Sequence, residues 1–152
     1  MAVAAPFYLA DRSLAAEAID ETGFVRIGGI DQWIAVQGVD RRNPVILYLH
    51  GGPGEAQSPF LKQFLPWQRD FTVVNWDQRG AGKTFGRNGK ATPEMTVDRL
   101  VEDIAEIAQL VSARFAQQKI ILVGQSWGSL WGFMRSNVTP ACFMPMSGRH
   151  RS

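Results

Sequence analysis

The chain is poor in several features that would announce a function directly. It has one cysteine in 152 residues, Cys142, which excludes an intrachain disulfide and a cysteine-built metal cage. A lone thiol fits a reducing compartment, and the expected location is cytoplasmic. No apolar run approaches the roughly 18–20 residues that span a bilayer. The apolar start lacks a basic stretch and meets Asp11 at once, which argues against a signal peptide. Excess charge is scarce too: 16 Lys+Arg against 14 Asp+Glu leave a net charge of +2, too little for a nucleic-acid partner. No metal ligand set and no cofactor motif stands out, so none is expected. Histidine is limited to His50 and His150, and no Asp or Glu follows Ser126.

What is present is ordinary globular material, 45% hydrophobic and 20% charged, enough for a real core at this length. The β-rich runs 24–27 and 33–36 flank Gly28-Gly29, which predicts a hairpin. The continuous apolar run 44–49 (Pro-Val-Ile-Leu-Tyr-Leu) has the character of a strand buried on both faces, and 71–76 and 119–124 are two more strands. A short helix is expected over 58–67, limited by Pro66. Val97, Leu100, Val101, Ile104, Ile107, Ala108, Val111 and Phe115 fall at helical spacing. Asp98, Arg99, Glu102, Asp103 and Glu106 take the other face, and Thr92 or Thr96 could cap the start. Strands alternating with helices after residue 44 predict an α/β fold with a parallel sheet, preceded by an antiparallel edge.

Three strand-ending loops carry chemistry. Gly124-Gln125-Ser126-Trp127-Gly128 fits G-x-S-x-G after a buried strand. That pattern suits a sharp strand-to-helix turn that exposes a strained serine, with Gly124 and Gly128 small enough for close backbone packing. His50-Gly51-Gly52-Pro53-Gly54 ends the 44–49 strand, and a glycine turn there can offer a backbone N–H to an oxyanion. His50 is read as a loop-fixing residue, not as a catalytic base. Asp77-Gln78-Arg79-Gly80-Ala81-Gly82-Lys83-Thr84 imitates a phosphate-binding P-loop, but Asp77 stands where that motif needs glycine. Residues 85–89, Phe-Gly-Arg-Asn-Gly, are poor material for the helix such a loop opens, so a P-loop NTPase is a remote alternative.

Taken together, H-G-G-P-G, D-Q-R-G-A-G and G-Q-S-W-G-S after three successive strands resemble the proline iminopeptidase (prolyl aminopeptidase) group of α/β-hydrolases over roughly residues 21–130. The resemblance implies a serine peptidase with Ser126 as nucleophile and the N–H groups of Gly52 and Trp127 as oxyanion hole. It implies that the Asp77-to-Gly82 loop is a structural wall, with Asp77 and Arg79 as an ion pair. It implies a small peptide or ester substrate, later strands and a helical cap. The triad acid and histidine should follow the serine, and here only His150 does. An esterase or amide hydrolase on the same fold, or a non-catalytic fragment, is the alternative reading.

The resemblance stops at Leu130. Residues 131–152 carry Arg135, Arg149 and Arg151 and no acid, and without them the balance falls to 13 basic against 14 acidic residues. Back-translated and read one base back, the segment from Leu130 allows L-G-F-H-A-I-K-R-H-P-R-L-F-Y-A-Y-V-G-T, the continuation that the resemblance implies. The expectation is therefore an extension over 1–20, a partial α/β-hydrolase domain over 21–130, and an aberrant, irregular tail over 131–152 after a frameshift. Such a chain should expose an apolar edge on the 119–124 strand, inviting self-association.

Overall fold

The computed structural model describes residues 16–52 and 54–129, and the backbone of 142–146. Its sheet opens with a hairpin, β1 (Ile19–Ile27) and β2 (Ile30–Gly38), turning at Gly28 and Gly29, both at positive φ. β3 (Val45–Leu49), β4 (Thr72–Asp77), β5 (Ile121–Gln125) and β6 (Cys142–Met146) follow. The order across the sheet is β1-β2-β4-β3-β5-β6. β2 meets β4 antiparallel, and β4, β3, β5 and β6 run parallel. The expected hairpin and buried strands are all present, with β1 starting inside the segment expected to be an extension.

Alternate side chains of β3 explain why its sequence is apolar throughout. Val45, Leu47 and Leu49 join the larger core with Trp76, Leu122 and the helix α3 (Val97–Phe115). Ile46 and Tyr48 face the opposite side, against Phe64, Val73 and Val123. A strand covered on both faces has no polar face to show. The 58–67 segment is a 3-10 stretch, Ser58–Phe64, running into α1 (Leu65–Gln68), with Pro66 in the first turn of α1. Pro66 thus starts a helix, where its missing N–H is harmless, and does not end one. Thr96 is the cap of α3, accepting the Arg99 N–H at 3.2 Å.

Four expectations need correction. Residues 82–88 do form a helix, α2 (Gly82–Asn88), despite two glycines, because Thr84 anchors it to the sheet. The Thr84 hydroxyl donates to the Asp77 carbonyl and accepts the Trp33 N–H. Asp103 leaves the polar face of α3 and is fully buried. The irregular tail contains a strand: β6 pairs with β5 from Cys142 opposite Ile121 to Met146 opposite Gln125. Main-chain hydrogen bonding needs only an extended partner, so β6 covers the β5 edge that was expected to be open.

Candidate active site

β3, β4 and β5 are parallel, so their carboxyl ends lie along one edge of the sheet, and the three loops emerge side by side there. In such sheets ligands sit at that edge, where neighbouring connections run in opposite directions. Here β3 lies between β4 and β5 and supplies that point.

The turn after β5 has the geometry of a nucleophile elbow. Ser126 holds φ +51°, a left-handed conformation that costs a non-glycine residue about 1–3 kcal/mol. A helical turn starts at once, with the Ser129 N–H donating to the Ser126 carbonyl at 2.9 Å. The flanking glycines are sterically required. A Cβ on Gly124 would stand 2.5 Å from the Gly128 carbonyl carbon, and one on Gly128 would overlap the Leu49 carbonyl oxygen. Ser126 and Trp127 are exposed at the sheet edge.

The loop after β3 lies directly against this turn. A Cβ on Gly51 would meet the Ser126 Cβ and the Gln125 carbonyl oxygen at 3.2 Å, tighter than an ordinary contact, so the glycine eases the close approach of the loop. Gly52 turns the chain at φ +126°, and its N–H donates to no described residue. Gly54 follows at φ +90°, and Pro53 lies outside the described residues.

His50 is buried and ties this loop to the one after β4. Its Nε2 accepts the Gln78 N–H at 3.0 Å, and its carbonyl accepts the Gln78 side-chain amide at 3.0 Å. Nδ1 is therefore the protonated nitrogen, 2.7 Å from the Gly51 carbonyl. Burial pushes the imidazole below its ordinary pKa, against the pull of the Gly51 carbonyl and the Asp77 and Glu55 charges. A neutral ring with both nitrogens engaged holds a loop and does not take a proton from Ser126.

The third loop differs from the expected ion pair. Asp77 does not meet Arg79. Its Oδ1 accepts the N–H groups of Gln57 at 2.7 Å and Ser58 at 2.9 Å, and its Oδ2 accepts the Lys83 N–H at 2.9 Å. The carboxylate thus fills the anion position at the start of α2, which removes the P-loop alternative on geometry. Arg79 reaches across to Asp103 of α3, with Nε 2.8 Å from Oδ2 and both side chains at 0% exposure. Its other nitrogens donate to the carbonyls of Gly28 at 2.6 Å and Pro93 at 2.8 Å. Asp103 also accepts from Gln32 at 2.8 Å and Arg99 at 2.9 Å. An arginine has five donors in a fixed fork, and here one residue joins β4, the hairpin turn, α3 and the loop before it. Sequence reading missed Asp103. Its available signal was Gln32, a polar residue next to the apolar run 33–36 of β2 and buried with it.

Between these loops and the start of α3 lies a cavity of about 200 Å³, lined among others by Gly52, Arg79, Met95, Val97 and Trp127. Met95, Val97 and Trp127 are 55%, 48% and 46% exposed, so its rim is an open apolar surface. Val97, expected in the core, lies on this rim. No group of metal-ligating side chains occurs among the described residues, and no described helix is long and apolar enough to cross a membrane.

Comparison with known proteins agrees with this geometry. Residues 44–141 match the family model described as serine aminopeptidase, S33. A probable aminopeptidase, YbaC, of Bacillus subtilis is 37% identical over 105 residues, covering 68% of this chain and 33% of that protein. A proline iminopeptidase of Saccharolobus solfataricus is 31% identical over 108 residues, 71% of this chain and 33% of that one. Among solved structures, a proline iminopeptidase-related protein of Thermus thermophilus aligns with TM-score 0.64 and 25% identity, covering 84% of this chain and 45% of that one. An epoxide hydrolase of Vigna radiata aligns equally well, with TM-score 0.64 and 28% identity, covering 85% and 38% of the two chains. The chain spans about a third of the length of the curated relatives it matches. With its strand order, its elbow and a family match over most of its residues, the chain belongs to the serine aminopeptidase S33 family of α/β-hydrolases.

Proposed function

We propose that this chain carries the nucleophile and oxyanion half of a proline iminopeptidase-type aminopeptidase, which releases the first residue of a peptide through an acyl-enzyme. Ser126 attacks the carbonyl carbon, and the N–H groups of Gly52 and Trp127 receive the charge that forms on its oxygen. The observation that carries the reading is the strained Ser126 turn packed directly against Gly51. A serine hydroxyl is a weak nucleophile and needs a base held by an acid. No Asp or Glu follows Ser126 to orient a base, His50 is committed elsewhere and His150 lies outside the described residues, so the chain as given should turn over little or no substrate. The single cysteine favours a cytoplasmic setting.

The fold is shared with hydrolases of other specificity, so an esterase or amide hydrolase is the second reading. Two measurements test the proposal. The nucleotide sequence through codon 130 and several hundred bases beyond should show a shifted frame that stays open and supplies an acid and a histidine. The restored enzyme should then hydrolyse a prolyl arylamide, and Ser126→Ala should abolish it. A restored enzyme that takes only esters would overturn the aminopeptidase reading, and a frame that closes at once would overturn the frameshift. Turnover by the present chain that vanishes in Ser126→Ala would overturn its expected inactivity.

A further inference from the structure

Asn88-Gly89 is the only Asn-Gly pair in the sequence, and it closes α2. The way that helix ends calls for both residues. Gly89 turns the chain at φ +68° and ψ −161°, a region that essentially only glycine enters. The Asn88 side-chain amide donates to the carbonyls of Asp31 in β2 and Thr84 in α2, each at 2.8 Å. With glycine at 82 and 86, α2 has little helix propensity of its own, so these ties hold it. Thr84 anchors its start to β2 and β4, and Asn88 anchors its end to the hairpin.

The same pair is chemically labile. An asparagine amide can be attacked by the next backbone nitrogen, and glycine places no side chain in the way. The Gly89 nitrogen bonds to the Asn88 Cγ, the Cγ–Nδ2 bond breaks, and ammonia leaves with the proton of the Gly89 amide. Water then opens the five-membered imide to aspartate or, through its other carbonyl, to isoaspartate. A Cβ at position 89 would meet nothing within 4 Å, so water has access. The fold holds the reaction back. The attacking Gly89 N–H donates to the Phe85 carbonyl, and the leaving amide donates to two carbonyls. Asn88 also keeps helical dihedrals, φ −100° and ψ −21°, which ring closure must undo.

We infer that Asn88 is a spontaneous deamidation site, guarded by the docking of α2, and that its conversion releases this end of α2 from the hairpin. The inference is independent of the aminopeptidase reading. A carboxylate at position 88 has no hydrogen to donate and faces the Asp31 and Thr84 carbonyls. Isoaspartate also adds a carbon to the main chain and displaces the Gly89 N–H from Phe85. α2 begins on the Asp77 carboxylate, so its loosening reaches the wall of the candidate site.

The wild type is incubated in mildly alkaline buffer, folded and in concentrated urea, and residue 88 is followed by peptide mapping. Conversion should be at least about tenfold slower in the folded chain, because three hydrogen bonds must open together. Urea below the unfolding midpoint should speed conversion in step with hydrogen exchange of the Gly89 amide. Thr84→Ala should convert faster than the wild type in buffer, and Thr84→Ser, which keeps the hydroxyl, should not. The deamidated fraction, separated by anion exchange, should unfold about 4–10 °C below the unmodified chain. Failure of Asn88 to convert in urea ahead of Asn43, Asn75 and Asn137 would overturn the site. Equal rates in the folded chain and in urea would overturn the guard. A deamidated fraction that melts with the unmodified chain would overturn the tie to the hairpin.

Discussion

Asp103→Asn is the most informative test of how this edge of the sheet is held. The substitution keeps the shape of the side chain, removes its charge, and turns one acceptor into a donor amid the nitrogens of Arg79, Gln32 and Arg99. The Arg79 guanidinium, at 0% exposure, is then buried without a counter-charge. Removing one partner of a buried pair costs about 3–5 kcal/mol. In a chain of this size each kcal/mol lowers Tm by about 2–4 °C, so the expected fall is about 6–20 °C. Urea unfolding followed by tryptophan fluorescence is a suitable assay, since Trp76 is fully buried and its indole N–H donates to Gln32 in the same cluster. Glu102→Gln, on the exposed side of α3, should stay within about 0.5 kcal/mol. Asp103→Asn combined with Arg79→Met should cost less than the two single changes added, by about 0.5–3 kcal/mol. A loss under about 1 kcal/mol in Asp103→Asn, or strict additivity, would refute the reading of a dry, coupled cluster.

Three further outcomes follow from the geometry. Gly128→Ala should lower stability by several kcal/mol, more than Gly23→Ala, whose added methyl meets nothing within 4 Å; denaturant midpoints compare them. His50 is depressed in the folded state, so the unfolded chain binds the proton first as pH falls below its ordinary value of about 6.5. Its contribution is complete above that pH and declines below it at up to about 1.4 kcal/mol per pH unit, and the decline should flatten in His50→Gln when urea midpoints are measured from pH 7 to 5. Thr96→Ala should cost about 1 kcal/mol, seen as a lower Tm, by leaving the Arg99 N–H without its cap.

The strands and α3 were legible because apolar spacing reports burial, and burial is what these elements share. α2 was hidden because Gly82 and Gly86 argue against a helix locally, while the bonds from Thr84 that hold it come from β2 and β4, distant in sequence. β6 was hidden for a related reason: strand pairing satisfies backbone groups whatever the side chains, so a segment without periodicity can still extend the sheet. The three loop motifs were legible as motifs, but the partners of their charged residues were not. Asp77 and Arg79 are two residues apart and opposite in charge, which suggests a pair. The sheet instead aims Asp77 at the start of α2 and Arg79 under α3.

What the sequence determined by itself is therefore the class of fold and the place of the sharp turn at Ser126. Alternation, apolar runs and glycine spacing act over a few residues, and Gly124-Gln125-Ser126-Trp127-Gly128 is a local solution to a local steric problem. Tertiary structure alone decided that Gly51 meets Ser126 and that Asp103 is buried against Arg79. Each of these depends on the parallel pairing of β4, β3 and β5, which brings three loops from distant parts of the chain to one edge. Charge and hydrogen bonding act across that space, and no spacing along the chain records it.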